Sequence, residues 1–543
     1  MISKTIILSS AGIKNIIEEE LKTKESKLMK NLLILHNKIR KIWINEDFNE
    51  IEQELFLKAF ENILTDEDRI KRAEMLVFKK DFTNLKILIN SIENKNYRLL
   101  FEIIIGISED KKDYINYILR NLPKELRDNE ALLFTKLKFY RSKEKNDKAM
   151  EILFNLKGRK EFSQYWWIYR NIYARDLMKD KKYKKAYQLV SEYNNFGDEN
   201  YAEAQWLSGW ISFRFLNEID NGIKHLQNYY KTVSYPASVA KASYWLGRAY
   251  FEKGVEKEAL RWYDISSKYI LTYYGQLAHY AKYNILVTKG EEYKEMELPK
   301  IPEITEVDIE NINKNRIVKL AFLYYNYEGK RDEANNIFKE LILKLLRKKG
   351  EIAELIQAIE TLDDEKVIVP LSRIASYRMV FFTDNLFPIL RMINRKNENI
   401  ALIHAIIKQE SGFIVQAESG AGAIGFMQIM PATAKLLCKQ LKITYNQYKL
   451  RNDPQYNIKL GNFYINQLIK QFNGSKILAI ASYNAGPKAT NRWINDFGDP
   501  REKENIEDVI DWMESITYKE TRNYVQKILE NLIIYESKLG INE

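Results

Sequence analysis

The chain has 543 residues, 45% of them hydrophobic and 29% charged, the balance of a soluble protein too long for one core. Lys and Arg exceed Asp and Glu by 85 − 74 = 11. The lysines are scattered and often neighbour glutamates, so this excess reads as a solvated surface rather than a nucleic-acid patch. A single cysteine, Cys438, excludes internal disulfides and Cys-based metal clusters, and no run approaches the roughly 20 apolar residues that span a bilayer.

At the N-terminus, Lys4 precedes Ile6-Ile7-Leu8-Ser9-Ser10-Ala11, the order of an export signal. Its apolar core is shorter than such signals need and Lys14 follows quickly, so from the residues alone it reads as a helix start or loose end. From residue 15 to about 290 the pattern is of successive amphipathic helices, with polar breaks at Asp128-Asn129 and Asn194-Asn195. Only 10 Pro and 21 Gly agree with a mostly helical chain. Trp167, Trp206 and Trp245 are each 39 residues apart, and Ala149, Ala186, Gly222 and Ala259 follow at spacings of 37, 36 and 37. An aromatic in one helix facing a small residue in the next lets paired helices approach, and stacked pairs make a solenoid.

Pro299 and Pro302 interrupt the helices. Helical patterning resumes near Asn315 and runs to about Leu371, a linker domain. Phe387-Pro388 then leads through the polar stretch Asn394 to Asn399 into the last domain. The expectation is an all-α chain of three domains: residues 1–300, 301–385 and 386–543.

In the last domain, Ile403, Ile406 and Ile407 stand seven, four and three residues before Glu410, on one helical face. A carboxyl beside aliphatic groups is disfavoured in its ionised form. An ordinary Glu, with a pKa of about 4.3, is protonated roughly 0.2% of the time at neutral pH. Raised to about 6, it would be protonated roughly 10% of the time and could act as a general acid. The small residues of Ser419-Gly-Ala-Gly-Ala-Ile-Gly425-Phe-Met-Gln428 suggest a loop passing close to a ligand, without a phosphate-binding pattern. A helix restarts at Pro431, and Cys438 falls in its apolar run as a small core residue. Asp453 reads as a helix cap before Pro454. Tyr483 and Asn484 precede a break at Gly486-Pro487, and Glu514 is the one late acid. His404 reads as a surface or packing histidine, and no metal-ligand spacing is visible.

These blocks together resemble the soluble lytic murein transglycosylases, whose catalytic domain looks like goose-type lysozyme. The match is dense from about Ile400 to Tyr535. It includes Glu410-Ser411, Gly425-Phe426-Met427-Gln428, Asp453-Pro454, Gly461, Ser482-Tyr483-Asn484, Trp493 and Glu520-Thr521-Arg522-Asn523-Tyr524-Val525. Ser243-Tyr-Trp-Leu-Gly-Arg-Ala-Tyr250 and Tyr273-Tyr-Gly-Gln-Leu-Ala278 look like the superhelical arm of the same enzymes, and the likeness fades before residue 150. Three positions depart: Phe426 stands for Leu, Ser482 for Ala and Thr517 for Pro. The last loosens the turn that places Glu514.

The resemblance implies a U-shaped arm, a helical linker and a lysozyme-like domain, acting on peptidoglycan glycan strands in the periplasm, without cofactor or metal. Glu410 would protonate the glycosidic oxygen and then remove the C6 hydroxyl proton of N-acetylmuramic acid, closing a 1,6-anhydro ring. Ser419, Met427 and Gln428 would contact the muramic side. Tyr483 and Asn484 would stabilise charge or orient Glu410, and Glu514 would bind a substrate hydroxyl or amide. It further implies a monomer whose arm is open to cell-wall synthesis or division proteins, with neither nucleic acid nor an integral membrane segment. Two alternatives stand beside it: a hydrolytic muramidase on the same scaffold, and a non-catalytic helical-repeat interaction protein.

Overall fold

The computed structural model describes residues 30–110, 121–156, 160–193, 195–196, 199–287 and 296–541. The signal-like stretch from Lys4 to Lys14, the break residue Asn194 and residues 291–295 lie outside these. Among the described residues the chain is all-α: no strand forms, and two isolated bridges, Glu418 with Ile424 and Ile424 with Ile429, fold one loop. None of the described helices is long and apolar enough to cross a membrane.

The chain divides into two compact units, Met1–Tyr173 and Ala174–Glu543. In the first, the helix Asp66–Lys79 starts on a capping box in which Thr65 and Asp68 satisfy each other's backbone N–H. Its Phe78 lies 4.1 Å from Phe162 and 4.7 Å from Phe134, ring centre to centre, and these rings anchor the local core.

Nine helices carry the argument that follows: α1 (Ser163–Lys179), α2 (Glu199–Phe215), α3 (Pro236–Glu252), α4 (Tyr273–Val287), α5 (Ile400–Ser411), α6 (Pro454–Gln471), α7 (Lys476–Ala485), α8 (Ile506–Ser515) and α9 (Lys519–Leu539). The Trp–small periodicity marks real helix pairs. Trp206 and Trp245 are buried in α2 and α3, and each helix packs on its successor, Ile219–Thr232 and Glu256–Ser267. At Gly222 a Cβ would sit 2.7 Å from Phe213 Cβ and 3.1 Å from the Gly209 carbonyl oxygen, so the pair meets at contact distance because neither residue has a side chain there.

Residues 296–305 hold no helix, in keeping with Pro299 and Pro302. Beyond them, Ile312, Phe338, Ile356, Leu371 and Phe382 share an apolar core with their neighbours. In the last domain α5 packs on α9, which also contacts α4, α7 and α8. Helix α9 therefore packs both on α5, which carries Glu410, and on α4.

Candidate active site

Helix α5 has an apolar body and a polar tip. Ile403, Ile406 and Ile407 are fully buried, as their spacing requires. Gly412 adopts φ 55° and stops the helix, which leaves Glu410 in the last turn. There the negative end of the helix dipole adds to the aliphatic surroundings in disfavouring a carboxylate. Burial pushes the Glu410 carboxyl up to about 7, helped by the nearby charge of Glu520 and opposed by a hydrogen bond from the Tyr524 hydroxyl. That hydroxyl donates to Glu410 Oε1 at 2.6 Å. A group with this pKa is about half protonated at neutral pH and can give and retake a proton.

Burial, with the charge of nearby Glu410 adding to it, holds the Tyr483 hydroxyl well above the usual phenol range. Its hydroxyl donates to the Met427 carbonyl oxygen at 2.8 Å, and its ring lies 5.2 Å from that of Tyr464. Asn484 faces α9: Thr521 Oγ1 donates to its Oδ1 at 2.6 Å, and its Nδ2 donates to Glu520 Oε1 at 3.4 Å. The pair is thus divided. Tyr483 braces the loop beside Glu410, and Asn484 ties α7 to α9.

The glycine-rich loop is held by its own polar groups. Ser419 Oγ accepts the Ala423 N–H at 3.0 Å, closing a tight turn. Gln428 adopts φ 47°, and its Nε2 donates to the carbonyl oxygens of Gly425 at 2.9 Å and Ala417 at 3.0 Å. Met427 is fully buried, its side chain seated on Gly461 of α6, while its N–H donates to Asn457 Oδ1 at 2.9 Å. Asn457 also donates from Nδ2 to Ile424 and Leu450 carbonyl oxygens at 2.9 and 3.0 Å. The expected muramic contacts therefore shape the loop. Met427 offers no side-chain surface to a ligand, a correction forced by its packing.

Glu514 has a different setting from the one expected. It is fully buried, and its partners are Lys241, Tyr274, Gln526 and Arg522, so it presents nothing to a solvent-borne sugar. The turn after it does not loosen: Thr517 accepts the Trp493 indole N–H at 2.9 Å. Ser482, the second departure, is satisfied by donating to Thr490 Oγ1 at 2.9 Å, and Phe426 is buried. His404 is a packing residue, its Nδ1 bonded to the Ile400 carbonyl oxygen at 2.8 Å and its Nε2 accepting the Leu390 N–H at 2.9 Å. Asp453 caps α6 by accepting the Tyr456 N–H at 3.0 Å, and Cys438 is buried.

A cavity of about 1300 Å³ opens beside this cluster, lined by Glu410, Ser411, Phe413 and Phe426 and reaching Arg373 and Tyr235. Two residues gain roles that sequence alone did not give them, Tyr524 and Asn457. Tyr524 belongs to the block Glu520-Thr521-Arg522-Asn523-Tyr524-Val525, where nothing local shows that it points at an acid 114 positions away. Among the described residues no group of three or more His, Cys, Asp or Glu converges as a metal site.

Residues 388–506 match the family described as the transglycosylase SLT domain. The soluble lytic murein transglycosylase of Escherichia coli K12 is 34% identical over 137 residues, 25% of this chain and 20% of that protein. The enzyme of the same description from Salmonella typhimurium is 34% identical over 140 residues, 26% of this chain and 21% of that protein. These sequence matches span about a fifth of the relatives' length. The likeness in structure runs further. The lytic transglycosylase Slt of Pseudomonas aeruginosa, solved as an inactive mutant, superposes with a TM-score of 0.65 at 20% identity, over 94% of this chain and 79% of that one. The 70 kDa soluble lytic transglycosylase of Escherichia coli gives 0.60 at 17%, over 93% and 78%. At such identities the likeness establishes a shared all-α fold, well beyond the stretch that the sequence match reaches.

Proposed function

We propose that this chain is a lytic transglycosylase, cleaving the β-1,4 bond between N-acetylmuramic acid and N-acetylglucosamine of peptidoglycan without water. The observation that carries this reading is one carboxyl, Glu410, pushed by burial to about 7, bonded by Tyr524 and opening on a cavity large enough for a glycan strand. The SLT family match and the curated names of the relatives support the substrate class. Protonated Glu410 gives its hydrogen to the glycosidic oxygen, and the C1–O bond breaks, freeing the N-acetylglucosamine hydroxyl. The positive charge left on the muramic ring faces the new carboxylate. That carboxylate then takes the proton of the C6 hydroxyl, whose oxygen bonds to C1. The proton is back on Glu410, and the product ends in a 1,6-anhydro ring.

One observation favours hydrolysis as a second reading. The charge of Glu520 reaches Glu410, and a second carboxylate is what an enzyme needs to activate water. Glu520 is however exposed and accepts from Asn484. The test of the reading is Glu410→Gln, which keeps size and loses the acid. Murein digestion should fall by about a thousandfold or more with the circular dichroism unchanged. Digestion at the unmutated rate would refute the assignment of Glu410, whereas no digestion by the unmutated protein would favour the interaction-protein alternative.

The division into an arm to residue 300, a linker over 301–385 and a catalytic domain over 386–543 is part of the same proposal, supported by the separate core around Ile356 and Phe338. So are a periplasmic location, a monomeric state, and an arm surface open to cell-wall synthesis or division proteins.

A further inference from the structure

Glu514 is a fully buried acid that the proposed chemistry does not use, and every element of its setting joins the arm to α9. From α3, Lys241 donates to Glu514 Oε1 at 2.9 Å while resting 3.5 Å above the Trp206 ring centre. From α4, the Tyr274 hydroxyl donates to the same oxygen. From α1, Arg175 Nη1 donates to the Glu514 carbonyl oxygen at 2.8 Å. From α9, Gln526 donates to Oε1 at 2.8 Å, and Arg522 donates to the Ile516 carbonyl oxygen at 2.6 Å while its Nε lies 3.7 Å from Oε2.

Helical geometry turns this cluster toward the active site. Arg522 and Gln526 are four residues apart and share the face of α9 that meets Glu514. Glu520, Thr521 and Tyr524 are spaced to share the other face, which meets Asn484 and Glu410. The register of one helix is thus fixed on one side by arm cations and used on the other by the catalytic acid.

We propose that Lys241, with Arg175, is a positioning residue: through Glu514 it sets α9 so that the Tyr524 hydroxyl stays on Glu410. This rests on the reading of Glu410 as the acid, and it makes the arm a working part of the site rather than a handle. A buried carboxylate stripped of its cation either takes up a proton or moves toward another donor. Both outcomes shift α9 and weaken the Tyr524 bond. Glu410 is faced by Tyr524 and Glu520 from α9 and by Tyr483 from α7. Losing the Tyr524 donation removes the one of these that favours the ionised form, so Glu410 should hold its proton to higher pH.

The test is Lys241→Met, which keeps the side chain's length and removes its charge, measured beside Tyr524→Phe. Two readouts are used: the alkaline limb of kcat/KM on purified murein, and the titration of the Glu410 carboxyl by carbon NMR in glutamate-labelled protein, assigned by its loss in Glu410→Gln. Lys241→Met should lower kcat by about tenfold with KM little changed, and should move both the limb and the titration upward. The double variant with Tyr524→Phe should move them no further than Tyr524→Phe alone. Lys241→Met with Glu514→Gln, which restores neutrality, should recover part of the loss. Should Lys241→Met fail to fold, Tyr274→Phe removes one donor to Glu514 and should give a smaller shift of the same sign. A lower melting temperature with the limb and the Glu410 titration unmoved would overturn the proposal. The NMR titration needs no substrate, so a chain inactive on murein would refute the proposed function and still decide this one.

Discussion

Glu410 illustrates how a single residue's chemistry follows from its neighbours. Its carboxyl is pushed from about 4.5 to about 7, chiefly by burial, and that has a cost in stability with a definite sign. A carboxyl whose folded pKa is raised binds protons more tightly in the folded state, so stability falls as pH rises from the ordinary carboxylate range through the folded value. The full shift corresponds to at most about 3 kcal/mol. Glu410→Gln cannot ionise and escapes this loss. In thermal melts it should therefore be more stable than the unmutated protein near pH 8, with the gap closing toward pH 4. A gap that is constant with pH would show that Glu410 is not withdrawn from water. Glu520 acts on the same group from a distance. Glu520→Gln removes a nearby negative charge, so the alkaline limb of the pH–rate profile should move down while anhydro products still form. Abolished cleavage in this variant would instead give Glu520 a chemical role.

At the scale of elements, two glycines separate what holds the fold from what shapes the site. Gly222 lies where two arm helices touch, and Gly222→Ala would press a methyl group against Phe213 and the Gly209 carbonyl. Overpacking of this kind costs about 1–3 kcal/mol, to be read from denaturant unfolding, with murein cleavage by the folded fraction unchanged. Gly425 is different. Its φ is 81°, its N–H donates to the Ala417 carbonyl oxygen at 2.8 Å, and a Cβ would collide with the Asn457 amide. Gly425→Ala should distort the loop that Tyr483 and Gln428 brace and lower kcat by about tenfold or more, a larger effect on rate than on stability. Equal kcat in the two variants would mean that the loop does not serve the reaction.

Across the whole molecule, legibility in sequence follows the range of the interaction. The helices and the apolar face under Glu410 depend on residues within a turn or two, and the arm's helix pairs recur at a fixed interval of 36 to 39 residues, so both show as periodicity in the chain. The cap at Asp453 is equally local. What sequence left unassigned is long-range: Tyr524 reaching Glu410 across 114 positions, and Arg175 reaching Glu514 across 339. Such pairings depend on how helices dock, which no local pattern encodes. Hence Glu514 reads in sequence as a substrate ligand although Lys241 and Tyr274 of the arm and Gln526 and Arg522 of α9 surround it. Met427 likewise reads as a sugar contact although Gly461 provides its seat.

The reaction itself is decided by the origin of the oxygen at the cleaved muramic carbon. Purified murein digested in water enriched in heavy oxygen, with the products weighed by mass spectrometry, reports this directly. The expected result is muropeptides one water lighter than reducing ends and free of heavy oxygen, formed by the unmutated protein and absent with Glu410→Gln. Reducing ends carrying the heavy oxygen would contradict internal ring closure and make this protein a hydrolase.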